Sequence, residues 1–376
     1  VTALALFAGL LGGYGAGLRL LLSLSWPAAL GQGLLLVALD VPLAAAMGNA
    51  TILPRRLAGL PARVRAGAEA AAMPAGCVLG WLIWSLVLWA LNPVGPGRAL
   101  LAGGGVFLVS GLVAGFWVAM NFLRPPRAEL TRLELTLPRL PKAFDGYTIV
   151  HLSDLHVGAL RSVARLRRRL EVLSGAAPDL LVVTGDLGGR RREEVAAAAG
   201  EMTRLAVREG RYAVLGNHDH RAGAGFVREE LEGCGFRVLV NEAAPLSRQG
   251  ERLWLVGCDD CSYRRYDDLA RALRGVPPEE EKILLSHSPD LWPEAREQGI
   301  GLMLSGHTHG GQIVVPGLGP LVVPSRFGRR WAAGLFRAGR SQLYVNRGVG
   351  EVVPPVRLGC PPEVAVIVLR RAGEEE

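Results

Sequence analysis

The sequence predicts two regions of different fold class. Residues 1–124 read as an all-α bundle of membrane-spanning helices, and residues 125–376 as an α/β (α+β) domain of layered strands and helices. Three observations lead there. Acids are nearly absent before residue 124, where long apolar runs dominate. After Arg124-Pro125-Pro126, short apolar runs alternate with amphipathic stretches. Polar motifs rich in histidine and aspartate then recur where those short runs end.

The first region contains seven arginines and only Asp40 and Glu69 as acids. Four apolar stretches, near 4–24, 30–50, 70–91 and 100–122, each approach the ~20 residues a bilayer requires, with three spans as the alternative count. A cleavable signal peptide would not be followed by three further spans. Asp40 lies near the middle of the second stretch and is read as a helix-packing contact rather than part of a transport path. Arg55, Arg56, Arg63 and Arg65 crowd one linker, and Arg124, Arg127 and Arg132 follow the last span. The positive-inside rule therefore predicts a multi-pass protein of the cell membrane whose C-terminal domain is cytoplasmic. The net charge of +8 is almost all arginine, since lysine occurs only at Lys142 and Lys282. Much of that excess lies beside the membrane, which favours membrane lipids over nucleic acid as the anionic partner.

Arg124-Pro125-Pro126 ends the last span, because proline cannot continue a helix. Strands are then expected near 133–137, 147–152, 180–183, 212–215, 236–240, 252–257, 283–285, 300–304, 342–346 and 363–369. Helices are expected near 163–173, 191–207, 223–233 and 266–274. Among five cysteines, Cys258 and Cys261 have the spacing of a zinc or redox pair. No second pair completes a tetrad, so they are read as reduced structural thiols.

The ends of the predicted strands carry Asp154, His156, Asp186, Asn217, His218, His287, His307 and His309. Five of the chain's seven histidines sit in these loops. Asp154 to Asp186 and Asp186 to Asn217 are each close to one ~30-residue strand–helix–strand unit, which would set equivalent strand ends side by side. Mixed carboxylate, imidazole and amide donors suit borderline divalent ions such as Mn²⁺, Fe²⁺ or Zn²⁺. Seven such donors exceed one tetrahedral site and suit two ions sharing a carboxylate.

These blocks carry a family resemblance. Asp154-Leu155-His156, Gly185-Asp186, Gly216-Asn217-His218-Asp219, His287 and Gly306-His307-Thr308-His309 together resemble the calcineurin-like metallophosphoesterase superfamily, over roughly residues 145–370. Tyr344 to Gly350 and Pro361-Pro362-Glu363 resemble its membrane-tethered bacterial phosphodiesterase-like branch. The resemblance implies a β-sandwich flanked by helices. It implies one metal on Asp154, His156 and His309, a second on Asn217, His287 and His307, and Asp186 bridging them. His218 would face the substrate, oriented by Asp219, while a metal-activated hydroxide attacks. Arg347 is a candidate phosphate contact, and His151 and His220 are read as flanking residues, not ligands. Many relatives carry an acid or polar residue soon after the bridging aspartate, where this chain has Leu187-Gly188-Gly189. The implied activity is a metallophosphoesterase, more narrowly a phosphodiesterase, acting on a phosphodiester or pyrophosphate. A lipid-linked substrate is favoured by the membrane anchor. A soluble nucleotide is the alternative enzyme reading, and a non-catalytic membrane sensor the alternative of another class.

Overall fold

Strands with apolar residues on both faces need cover on both sides. Leu180-Leu181-Val182-Val183 is such a run, and the fold supplies that cover. The computed structural model describes residues 126–158, 163–188, 191–315, 317–352 and 357–372. The expected helical bundle over 1–124, with Asp40, lies outside the described residues. Among the described residues no helix is long and apolar enough to cross a membrane.

The elements in order are β1 (Glu129–Leu137), β2 (Thr148–Leu152), α1 (Val163–Leu170), β3 (Leu180–Thr184), α2 (Arg192–Met202), β4 (Gly210–Val214), α3 (Asn217–Ala222), α4 (Ala224–Gly233) and β5 (Phe236–Val238). Then follow β6 (Glu242–Arg248), β7 (Glu251–Gly257), α5 (Leu269–Ala272), β8 (Lys282–Leu285), α6 (Trp292–Glu297), β9 (Leu302–Ser305), β10 (Val314–Val315), β11 (Gly319–Pro320), β12 (Gly334–Ala338), β13 (Ser341–Val345) and β14 (Glu363–Arg371). One six-stranded sheet has the order β1-β14-β2-β3-β4-β5, the other β12-β13-β9-β8-β7-β6. β2 to β5 are mutually parallel, and so are β7, β8, β9 and β13.

The sheets face each other across one apolar layer. Ile149, Leu180 and Val182 of the first meet Leu255, Ile283 and Leu302 of the second. Alternate residues point the other way, as strand geometry requires. Val150, Leu181 and Val183 pack under Leu166 of α1, Val195 and Met202 of α2, and Leu231 of α4. Val256, Leu284 and Met303 pack under Leu269 of α5 and Trp292 and Ala295 of α6. The layers are therefore helix, sheet, sheet, helix, the flanked sandwich that the family resemblance implies.

Several expected boundaries shift for physical reasons. The helix expected over 266–274 shortens to α5. Asp260 accepts hydrogen bonds from Ser262 and Tyr263 amides, and Asp268 caps α5 by accepting from the Arg271 amide. The Asn217-His218-Asp219 loop is the first turn of α3, and Gly223, at φ +130°, separates it from α4. β6 was not expected. It is an edge strand, where Pro245 costs no ladder hydrogen bond. β10, β11, β12 and α6 are also additions.

Candidate metal centre

The carboxyl ends of parallel strands from both sheets converge. Asp154 and His156 follow β2, Asp186 follows β3, and Asn217 and His218 open α3 after β4. His287 follows β8, and His307 and His309 follow β9. Five of these residues, Asp154, His156, Asp186, His307 and His309, have φ between 46° and 69°. Left-handed backbone at a non-glycine residue costs of order 1–3 kcal/mol, and such strain clusters where function requires it.

Each central carboxylate is divided between two tasks. Asp154 Oδ2 accepts from Ser153 Oγ at 2.6 Å and from the His307 amide at 2.9 Å. Its Oδ1 has no hydrogen-bond donor and faces His309 Nε2 at 3.3 Å and His156 Nε2 at 3.7 Å. Asp186 Oδ1 accepts from the His218 amide at 2.7 Å. Its Oδ2 faces His287 Nε2 at 3.4 Å and His156 Nε2 at 3.6 Å. Protein donors fix one oxygen of each pair and leave the other aimed at the centre, an arrangement typical of ligating carboxylates. Two glycines make room for it. A Cβ at Gly306 would overlap Ser153 Oγ and Asp154 Oδ2, and one at Gly216 would overlap Asp186 Oδ1.

The imidazoles present lone pairs to the same space. His287 Nδ1 lies 2.7 Å from the Thr184 carbonyl, which can only accept, so Nδ1 carries a proton. In the neutral ring Nε2 is then bare, yet it sits 3.1 Å from Asn217 Oδ1 and 3.1 Å from His307 Nδ1. The Nε2 atoms of His156 and His309 are likewise 3.1 Å apart. Each of these contacts needs either a proton on one of its two atoms or a cation between them. The donor set and the unpartnered Asp154 Oδ1 fit a divalent metal. Three groups have ligand atoms within 4.8 Å of one another: Asp154 with His156 and His309, Asp154 with Asp186 and His287, and His156 with Asp186 and His218.

Burial lowers the pKa of His156 and His309 against the pull of Asp154. Burial, with the His287 charge, lowers His307 to about 4. Neutral imidazole is the ligating form. Burial by itself would raise Asp154, but His309 and His156 outweigh it and hold the carboxyl well below its usual range. His287 is the exception. Burial opposes its charge, but Asp186 outweighs burial and raises its pKa well above 6.5. A proton on His287 Nε2 and a metal would compete for the same place. Metal binding at neutral pH is therefore expected to release a proton, and affinity to strengthen by up to about tenfold per pH unit while His287 remains protonated in the cation-free protein. Calorimetric titration with Mn²⁺ in HEPES and in Tris reads this directly. Identical heats in both buffers would show that no proton leaves.

All seven predicted ligands are thus brought together. His218 lies at the half-exposed rim, its ring 4.8 Å from that of His156 and edge-on to it. Two expectations need correction. Asp219 does not orient His218. Adjacent residues of a helix point in different directions. The Asp219 carboxylate instead accepts from the amides of Asp186 (2.7 Å), Gly216 (2.9 Å) and Leu187 (3.0 Å). Arg347 does not reach into the centre. Its guanidinium meets Glu129 at 3.0 Å and Glu363 at 3.3 Å, bridging two carboxylates at the start of β1 and β14.

The flanking readings also resolve. His151 is buried, with Nε2 2.9 Å from Thr184 Oγ1, and burial lowers it to about 4. His220 lies 2.6 Å from Asp259 and stacks on Tyr266. Cys234, Cys258, Cys261 and Cys360 are free thiols. Burial, reinforced by Asp260, pushes Cys261 up to about 12, which disfavours the thiolate. No motif announces Arg357, which is buried and donates to the carbonyls of Arg347 (2.8 Å) and Gly348 (3.0 Å) behind Asp154.

Known proteins are similar in sequence over the same region. Residues 147–311 match the family model for calcineurin-like phosphoesterase. The chain is 30% identical over 276 residues to uncharacterized metallophosphoesterase YkuE of Bacillus subtilis, covering 72% of this chain and 92% of that protein. It is 30% identical over 254 residues to phosphodiesterase YaeI of Escherichia coli, covering 66% and 91%. It is 31% identical over 278 residues to a transmembrane protein with metallophosphoesterase domain of Danio rerio, covering 70% of this chain but 62% of that longer protein. The matched span contains every residue that builds the centre, so the chain belongs to the calcineurin-like metallophosphoesterase family and is a phosphoric ester hydrolase.

Proposed function

We propose that the chain is a phosphodiesterase whose centre holds two divalent cations, with Mn²⁺, Fe²⁺ and Zn²⁺ as the ions its mixed donors suit. Asp154, His156 and His309 would hold one, and Asn217, His287 and His307 the other. Asp186 would serve both. The observation that carries this reading is the position of Asp186 Oδ2, shared between His156 on one side and His287 on the other. Bound divalent ions supply Lewis acidity and ionise water near neutral pH.

The chain's own groups do the rest. Asp154 and Asp186 stay ionised and the other ligands neutral, so two loaded ions leave a net positive centre that attracts a phosphodiester anion. The amides of His307 and His218 fix the two carboxylates before substrate arrives. His218 faces the rim with a neutral ring, because burial lowers it to about 4 and Asp186 restores only part of the loss. Its ring N–H can donate to a phosphoryl or leaving oxygen without adding charge.

The substrate proposed is a phosphodiester or pyrophosphate. A lipid-linked one is favoured, because residues 1–124 read as a multi-pass anchor that holds the 125–376 domain at the cytoplasmic face. The full chain with added Mn²⁺ is expected to hydrolyse bis-p-nitrophenyl phosphate and to bind two ions per chain by elemental analysis. No turnover with Mn²⁺, Fe²⁺ or Zn²⁺ would overturn the enzymatic reading, and one ion per chain at full activity would overturn the shared-carboxylate reading. Lipid-linked diphosphates compared with soluble nucleotides then decide the substrate class.

A further inference from the structure

The stretch from Gln312 to Trp331 differs from the rest of the domain. It contains three arginines, Arg326, Arg329 and Arg330, and no acid. Eight large apolar side chains lie from Ile313 to Phe327; none is fully buried, and of these Phe327 packs against the core beside Trp331. Leu318 and Val322 are 57% and 52% exposed, and among the described residues only Tyr266 joins them as an exposed large hydrophobic. Two of the three exposed large hydrophobics among the described residues thus fall in this one stretch, the kind of surface that serves interaction.

Charge narrows the partner. The guanidinium of Arg326 donates to the Asp290 carbonyl at 2.5 Å, and its amide to the Asp290 carboxylate at 3.0 Å. Arg329 and Arg330 form no ion pair with a carboxylate among the described residues. Arg329 Nη1 donates to the Leu318 carbonyl at 2.8 Å, which puts a cation beside the exposed aliphatic tip. Arg330 lies over the Trp331 ring at 5.2 Å, and aliphatic tips beside arginines with no carboxylate partner suit the interface of an anionic bilayer. A nucleic-acid surface would instead present aromatic platforms or a broad basic stripe.

The stretch is tied to the metal centre at its base. Thr308 Oγ1 donates to the Ala332 carbonyl at 2.6 Å, and a Cβ at Gly311 would overlap Pro320. We propose that residues 317–331 form a docking surface for an anionic phospholipid bilayer, with Leu318 and Val322 entering the interface and Arg329 and Arg330 meeting headgroup phosphates. Docking sets the His307–Gly311 loop against the leaflet. It does not depend on turnover, so a catalytically dead chain should dock equally well.

The test is hydrogen exchange on the full chain in nanodiscs of phosphatidylcholine alone and of phosphatidylcholine with phosphatidylglycerol. Each arginine near an anionic leaflet contributes a factor of about five in partitioning. Amides of 317–331 are therefore expected to exchange on the order of fivefold or more slowly in the anionic discs. β2 serves as the unchanged control. The protection should vanish for Leu318→Ser with Val322→Ser, substitutions at exposed positions that leave the core intact, and should weaken at high salt. Equal exchange in both discs, or equal protection by double-stranded DNA without lipid, would overturn the proposal.

Discussion

Asp186→Asn is expected to lower kcat/KM toward bis-p-nitrophenyl phosphate by about a thousandfold or more at saturating Mn²⁺. The replacement keeps the side chain's shape and can still accept from the His218 amide. What it removes is the charge on the oxygen that faces both His156 and His287. Bound metal per chain should fall with activity. Global stability should change little, because the substitution also relieves the repulsion between Asp186 and buried Asp219. Near wild-type turnover with full metal content would mean that Asp186 is not the shared ligand.

Asp219→Ala should act first on the fold. It strands the amides of Asp186, Gly216 and Leu187 in a buried site, where each unsatisfied donor costs about 1–3 kcal/mol. A loss of about 3 kcal/mol or more is therefore expected in urea unfolding, together with lower activity as the Asp186 backbone relaxes from φ 57°. Asp219→Asn should fall between. One oxygen can keep two of the three amides, but its NH₂ then meets the third. Unchanged stability in the alanine variant would remove the role assigned to this carboxylate. Burial and the Asp186 charge push Asp219 up to about 7, against the three amides that donate to it. A cation beside Asp186 offsets that charge, so metal binding favours the ionised form that the amides require.

Much of the fold was legible because the central strands are apolar on both faces and end in polar residues. β2, β3, β8 and β9 could be read that way, and with them the positions of all seven predicted ligands. The errors arose where tertiary contacts override local pattern. Asp219 follows His218 in sequence, but a helical turn sends the two side chains apart. Arg347 stands at a strand end like the ligands, but Glu129 and Glu363 claim it. Neither partner could be inferred from spacing, since Glu129 lies 218 residues away. The left-handed backbone at five candidate ligands leaves no mark in composition, because aspartate and histidine tolerate it without a glycine to announce it.

The divided origin of the donors bears on how the protein matures. His156 and His309 meet across 153 residues, one from each sheet. Contacts of such long range form late in folding. A chain emerging from the ribosome as far as β5 holds Asp154, His156, Asp186 and Asn217 but none of His287, His307 and His309, and it still lacks β14, which sits between β1 and β2 in the first sheet. Such an intermediate offers an incoming ion two carboxylates, an amide and one imidazole, a set that hard ions such as Mg²⁺ satisfy as readily as borderline ones. The nitrogen-rich set is complete only once β8, β9 and β14 are in place, so the order of synthesis withholds it until the chain is nearly finished.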